Sequence, residues 1–134
     1  MDIDGSCHCG KVTYTARVNP RNVVACHCDD CQIMSGSTYR TVVPAREENF
    51  ELRGETTTYV KTADSGNQRT SVFCPACGTQ LYGTSVGDGP KVIGIRGGTV
   101  RQRAELPPQK QIWCQSAMPW VNELAGVERV QGQP

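Results

Sequence analysis

Between Lys11 and Arg17 apolar and polar residues alternate one for one, with Val12, Tyr14 and Ala16 on one side and Thr13, Thr15 and Arg17 on the other. A period of two is what a strand with one face on a core requires, and it predicts a strand here. Comparable short runs predict strands at Val23–Ala25, Thr38–Val43, Asn49–Arg53, Thr57–Lys61, Arg69–Phe73, Gln80–Tyr82 and Lys91–Arg96. Between them stand Asn19-Pro20, Asp64-Ser65-Gly66-Asn67, Gly87-Asp88-Gly89-Pro90 and Gly97-Gly98, which fix φ or admit positive φ and so punctuate the chain. Seven or eight short strands at this spacing predict a mainly β fold, a folded-over sandwich or an open barrel of antiparallel strands. Helical signal is thin: Asp29–Met34 predicts one or two turns, and Met118–Leu124 a second short helix with Pro119 near its start. Residues 1–126 read as one domain and 127–134 as a polar, weakly tied tail.

Composition sharpens this picture. Fourteen Val against four Leu favours pleated sheet over helix, because β-branched side chains pack well on strands. With 134 residues, 37% of them hydrophobic and eight aromatic, the chain suits a single soluble domain whose core is modest and needs further help. A balance of 14 Lys+Arg against 13 Asp+Glu supplies no excess charge to draw the protein to nucleic acid or to an anionic membrane. No apolar run approaches the roughly 18 residues of a membrane span, and the first ten residues lack the layout of a signal peptide. The expected setting is cytoplasmic, as a monomer or homodimer. Eight cysteines in that setting stay reduced, which favours metal ligation or thiol chemistry over disulfides.

Seven of these cysteines fall into three groups: Cys7-His8-Cys9-Gly10, Cys26-His27-Cys28-Asp29-Asp30-Cys31 and Cys74-Pro75-Ala76-Cys77-Gly78. Short spacings let one turn offer two sulfurs to one ion, and zinc takes four such ligands in a tetrahedron. A glycine follows both the first and the third group, where positive φ lets backbone N–H groups approach the sulfurs. These two groups are therefore paired, Cys7 and Cys9 with Cys74 and Cys77, as one closed structural zinc site. The middle group differs, because three sulfurs from one turn leave the fourth position of a tetrahedron open to water or a substrate thiol. The lone Cys114 is the alternative fourth ligand, which would close this site and use all eight cysteines. His27, adjacent to two ligands, is the third candidate. Residue chemistry alone leaves the open and closed sites in balance.

Three stretches carry a resemblance: Gly5-Ser6-Cys7-His8-Cys9-Gly10-Lys11-Val12-Thr13-Tyr14, Cys26-His27-Cys28 with Cys31 and Ser35-Gly36-Ser37, and Phe73-Cys74-Pro75 with Cys77-Gly78-Thr79. With Pro119-Trp120 they resemble, in order and spacing, the motifs of the glutathione-dependent formaldehyde-activating enzymes, a family that includes centromere protein V. The resemblance implies an Mss4-like fold with two zinc ions, one structural at the first and third motifs and one catalytic or substrate-responsive at Cys26, Cys28 and Cys31. It implies a carbon–sulfur lyase running towards synthesis, joining glutathione or a similar thiol to formaldehyde or another small aldehyde, as in S-(hydroxymethyl)glutathione formation. Glutathione carries two carboxylates, so its pocket calls for basic side chains, and Arg40, Arg69 and Arg96 are the candidates. A different class of function is a non-catalytic zinc-stabilised β domain, a binding module or thiol and metal carrier, with Cys114 closing the second site. Trp113 and Trp120 are expected in the core, with the wall of a substrate cleft as the alternative reading. Asp29 and Asp30 are either hydrogen-bond acceptors beside the middle group or a solvated turn.

Overall fold

A computed structural model describes residues 1–63 and 65–134; Asp64, the first residue of one predicted turn, lies outside the described residues. Among the described residues nine strands form one open sheet, with the path β1(Asp2–Ser6), β2(Thr13–Val18), β4(Arg40–Arg53), β8(Val92–Arg96), β7(Gln80–Ser85), β6(Gln68–Phe73) and β5(Thr57–Thr62) antiparallel throughout. Two short strands stand off this path: β3(Val24–Cys26) pairs antiparallel with the start of β4, and β9(Lys110–Ile112) runs parallel beside β3. The one α-helix among the described residues, α1(Asp29–Ser35), follows β3 directly. Its first turn is capped by the Cys28 sulfur, which accepts from the Cys31 amide at 3.3 Å, and it ends on Gly36 in the left-handed region.

The alternation at residues 12–18 does what its pattern predicts, since Val12, Tyr14, Ala16 and Val18 are buried while Thr13, Thr15 and Arg17 are exposed. They meet Ile3 from β1, Val43 and Ala45 from β4, Leu81 from β7, and Ile93 and Ile95 from β8 in one apolar cluster. Phe50 and Tyr82 cover its margin, the Phe50 ring 5.6 Å from Tyr14 and 5.1 Å from Tyr82. Cys7 and Cys74 belong to this cluster, at 2% and 1% exposure, so the core reaches the cysteine turns themselves.

Four expectations change. The separate strands at Thr38–Val43 and Asn49–Arg53 are one strand of 14 residues. The polar run Arg46-Glu47-Glu48 between them stays extended, and β2 steps past it: Ala16 faces Phe50 and Val18 faces Ala45. Strands β1 and β9 carry too little alternation to be seen in sequence, and long-range pairing makes them. Met118–Leu124 is a chain of tight turns, Val121 N donating to Met118 O and Glu123 N to Trp120 O, rather than a helix. Trp113 and Trp120 lie at the surface, 57% and 46% exposed, and take no part in the core. Among the described residues, no helix is long and apolar enough to cross a membrane.

Candidate metal centres and the cavity beside them

The first and third cysteine groups are the turns of two β-hairpins. Strands β1 and β2 pair up to Ser6 opposite Thr13, leaving Cys7–Val12 as the connection, and β6 and β7 pair up to Phe73 opposite Gln80, leaving Cys74–Thr79. Each turn closes on its own backbone: Cys7 N donates to Val12 O at 3.0 Å and Cys74 N to Thr79 O at 3.0 Å. Gly10 at φ 81 and Gly78 at φ 73 supply the left-handed residue that both turns need. The two hairpins also clasp one another, the His8 amide donating to the Thr79 hydroxyl at 3.1 Å.

This brings Cys7, Cys9, Cys74 and Cys77 together with all four sulfurs within 4.8 Å of one another. Four sulfurs at about 2.3 Å from one zinc ion stand about 3.8 Å apart in a tetrahedron. The Cys7–Cys9 and Cys9–Cys74 separations are 3.6 and 3.8 Å, so this donor set fits that ion in number, softness and spacing. The turns prepare negative charge on two of these sulfurs, whereas Cys9, though the Lys11 amide lowers it, is pushed up to about 11 by burial and the neighbouring sulfurs. Burial pushes the Cys7 thiol up, but the Val12 amide, with Cys9 and Cys74, carries it below its ordinary value. The Thr79 hydroxyl, at 3.2 Å, and the Cys9 and Thr79 amides hold Cys77 down to about 5.

Cys26, Cys28 and Cys31 form a second group, their sulfurs again within 4.8 Å of one another. Cys26 ends β3, Cys28 caps α1 and Cys31 lies in its first turn, so strand end and helix start together aim three sulfurs at one point. Burial raises the Cys26 and Cys31 thiols, the charge of Arg40 opposing it at Cys31. Neither His27 nor Cys114 joins this group. His27 is buried and bonds Gln111 Oε1 through Nε2 at 2.8 Å. Cys114 is exposed and opens a 3-10 turn after Trp113, whose φ of 56 is unusual for a bulky residue. Gln32 of α1 holds that turn nearby, donating to Ser116 O at 2.9 Å and to His27 O at 2.8 Å. Asp29 and Asp30 are exposed, and Asp30 pairs with Lys61.

Between α1 and the Cys74–Thr79 turn lies a cavity of about 430 Å³, lined by Met34 and Ser35 on the helix side and Gly78 and Thr79 on the other. Arg40 and Arg96 line it and Arg69 does not; Arg69 is exposed on β6. Sequence reasoning missed Gln80, which also lines it, and the tying residues Gln32 and Gln111. No local pattern marks a glutamine brought in by distant strands. Neither this cavity nor a wider depression of about 750 Å³ along β1, β2 and β4 has a cysteine in its wall.

The sequence profile of the family described as glutathione-dependent formaldehyde-activating enzyme matches residues 2–116, a stretch that contains all eight cysteines. The chain belongs to that family. The crystal structure of a Rhodobacter sphaeroides protein shares the fold, at a TM-score of 0.62 and 19% identity over 81% of this chain and 98% of that one. No curated protein sequence matches the chain. Membership of the glutathione-dependent formaldehyde-activating family points to enzymes of the lyase kind, and both sulfur groups are compatible with the zinc that such chemistry uses.

Proposed function

We propose that the protein joins a glutathione-like thiol to formaldehyde or another small aldehyde at the Cys26, Cys28 and Cys31 centre, while Cys7, Cys9, Cys74 and Cys77 hold a structural zinc. The observation that carries this reading is the three-sulfur group from which Cys114 stands apart. Three protein ligands keep one tetrahedral position for substrate. A zinc ion held there supplies Lewis acidity and keeps a sulfur ligand deprotonated at neutral pH. The chain itself contributes position: the strand end and the helix cap fix the three sulfurs, and the adjoining cavity receives the body of the thiol, so that nucleophile and electrophile meet in one orientation. The reaction forms one carbon–sulfur bond, opens the carbonyl π bond and carries the thiol proton to the former carbonyl oxygen, with no change of oxidation state overall.

Exchange NMR on a formaldehyde–glutathione mixture tests this. The metal-loaded protein is expected to speed adduct formation above the uncatalysed rate, and Cys28→Ser to return it to that rate with the fold intact. Cys7→Ser is expected not to fold. A folded and fully active Cys28→Ser overturns the assignment.

The second reading, a non-catalytic zinc-stabilised domain closed by Cys114, is favoured by the Gln32 bond that keeps the Cys114–Ser116 turn near α1. Cobalt substitution separates the two. Under the first reading Cys114→Ser leaves the thiolate-to-cobalt absorption unchanged, and under the second that absorption falls.

A further inference from the structure

The two outer strands of the sheet path end it in different ways. On β1 the outward backbone groups are taken: Asp4 O accepts from the Arg101 amide at 2.8 Å, Asp4 N donates to Gln102 Oε1 at 3.1 Å, and Gly5 bridges Val100. On β5 they are not. Ala63 N donates to Asn67 O at 2.8 Å, and in the alternation that follows, Lys61, Tyr59 and Thr57 bond to β6. The N–H and C=O of Thr58, Val60 and Thr62 therefore point away from the sheet. Among the described residues, no hydrogen bond reaches those outward backbone groups.

An open edge is a template for another strand, and proteins ordinarily blunt it with proline, a bulge, charge or a covering segment. Six residues without proline pair β5 to β6 in unbroken register, and Tyr59 and Val60 are 54% and 45% exposed. The one charged residue of the strand is Lys61, with Arg69 opposite it on β6. Glu55, two residues before the strand, is exposed and makes no ion pair among the described residues. The edge is thus anionic at its start and cationic at its end, which suits a copy of itself running the other way.

We propose that β5 pairs antiparallel with β5 of a second copy about a two-fold axis at Thr58, with Glu55 of each copy against Lys61 of the other. Thr58 is one of the outward residues, so the two copies of it exchange N–H and C=O directly, and Thr56 of each exchanges with Val60 of the other. Glu55 and Lys61 stand an even number of residues apart, so their side chains meet on one face. Neighbouring registers keep the backbone bonds but part these charges. The blocked β1 edge leaves β5 nowhere to add head to tail, so the assembly closes at two copies. A seam of one strand pair is small and places the dimer among weak, reversible associations.

Sedimentation equilibrium of the metal-loaded protein, with amide exchange on the same samples, tests this. Wild type is expected to pass reversibly from monomer to dimer as its concentration rises. The amides of Thr58 and Val60 are expected to gain protection, and those of Tyr59 and Lys61, already bonded to β6, to stay as they are. Thr58→Pro removes an outward donor alone, and is expected to raise the dimer dissociation constant at least tenfold while the monomer melts as before. Glu55→Lys and Lys61→Glu are each expected to weaken self-association at least tenfold. An equimolar mixture of these two variants is expected to recover it, since every facing pair is then opposite in charge; this result decides alone if the proline variant does not fold. A wild type that stays monomeric at every concentration overturns the proposal, whatever other chain the edge takes up. So does a dimer that Thr58→Pro leaves intact, or a mixture no tighter than its components.

Discussion

Asp4 illustrates how much one half-buried residue can organise in this chain. Its carboxylate accepts from Arg101 Nη2 at 2.5 Å, Arg101 Nε at 2.8 Å and Gln102 Nε2 at 2.6 Å, while its carbonyl accepts from the Arg101 amide at 2.8 Å. The edge strand β1 is thereby fastened to the turn that follows β8. The Arg101 guanidinium, then Gln102, hold the Asp4 carboxyl down to about 2, below its ordinary value of 3.8. A depressed carboxyl contributes stability that is complete above the ordinary value and is lost as pH falls through the folded one. The stability difference between wild type and Asp4→Asn is therefore expected to be constant above about pH 4 and to shrink towards about pH 2. Urea midpoints of the two proteins across that range check it, and a difference that grows on acidification would contradict the assignment.

At the scale of elements, the hairpin turns separate conformational cost from packing cost. Gly78 sits at φ 73 with open space where a Cβ would point, so Gly78→Ala meets no clash and only the left-handed penalty, roughly 1–2 kcal/mol. Leu81, three residues on and fully buried, is a core side chain, and Leu81→Ala is expected to cost about 2–5 kcal/mol. Denaturation of both variants with metal bound checks the order, which reverses if the turn, and not the core, dominates. Such elements were legible in sequence for a physical reason: the alternation at 12–18 and the Cys-Pro-x-Cys-Gly turn are written locally. Strand β9 was not, because Lys110-Gln111-Ile112 become a strand only through parallel pairing with β3. The false helix at Met118–Leu124 came from reading Pro119 as a helix start, where the chain uses it in a turn. The grouping of seven cysteines was legible because sulfur has few other reasons to cluster. The meeting of Arg40, Gln80 and Arg96 was not, since it depends on three strand ends converging.

On the scale of the whole molecule the two sulfur groups hold different things together. Cys7 and Cys9 lie at one hairpin turn and Cys74 and Cys77 at another, so an ion between them closes a loop of more than sixty residues and seals one end of a small core. Structural zinc binds with about 10–16 kcal/mol, comparable to the roughly 5–15 kcal/mol that stabilises a whole domain, so its removal should unfold the chain. The second group has other support: Cys26 ends a strand paired on both sides, by β4 and by β9, and Gln32 ties α1 to the backbone of His27 and Ser116. That support stays in place without metal. Three thiolates also give an ion less than four do. Titration with a chelator is therefore expected to proceed in two steps, one metal equivalent leaving with the β-sheet circular dichroism intact and the second leaving as that signal collapses. Cys28→Ser should remove the first step alone. Loss of sheet with the first equivalent would instead mean that the Cys26, Cys28 and Cys31 centre is structural, and the thiol-binding role proposed for it would fall with that result.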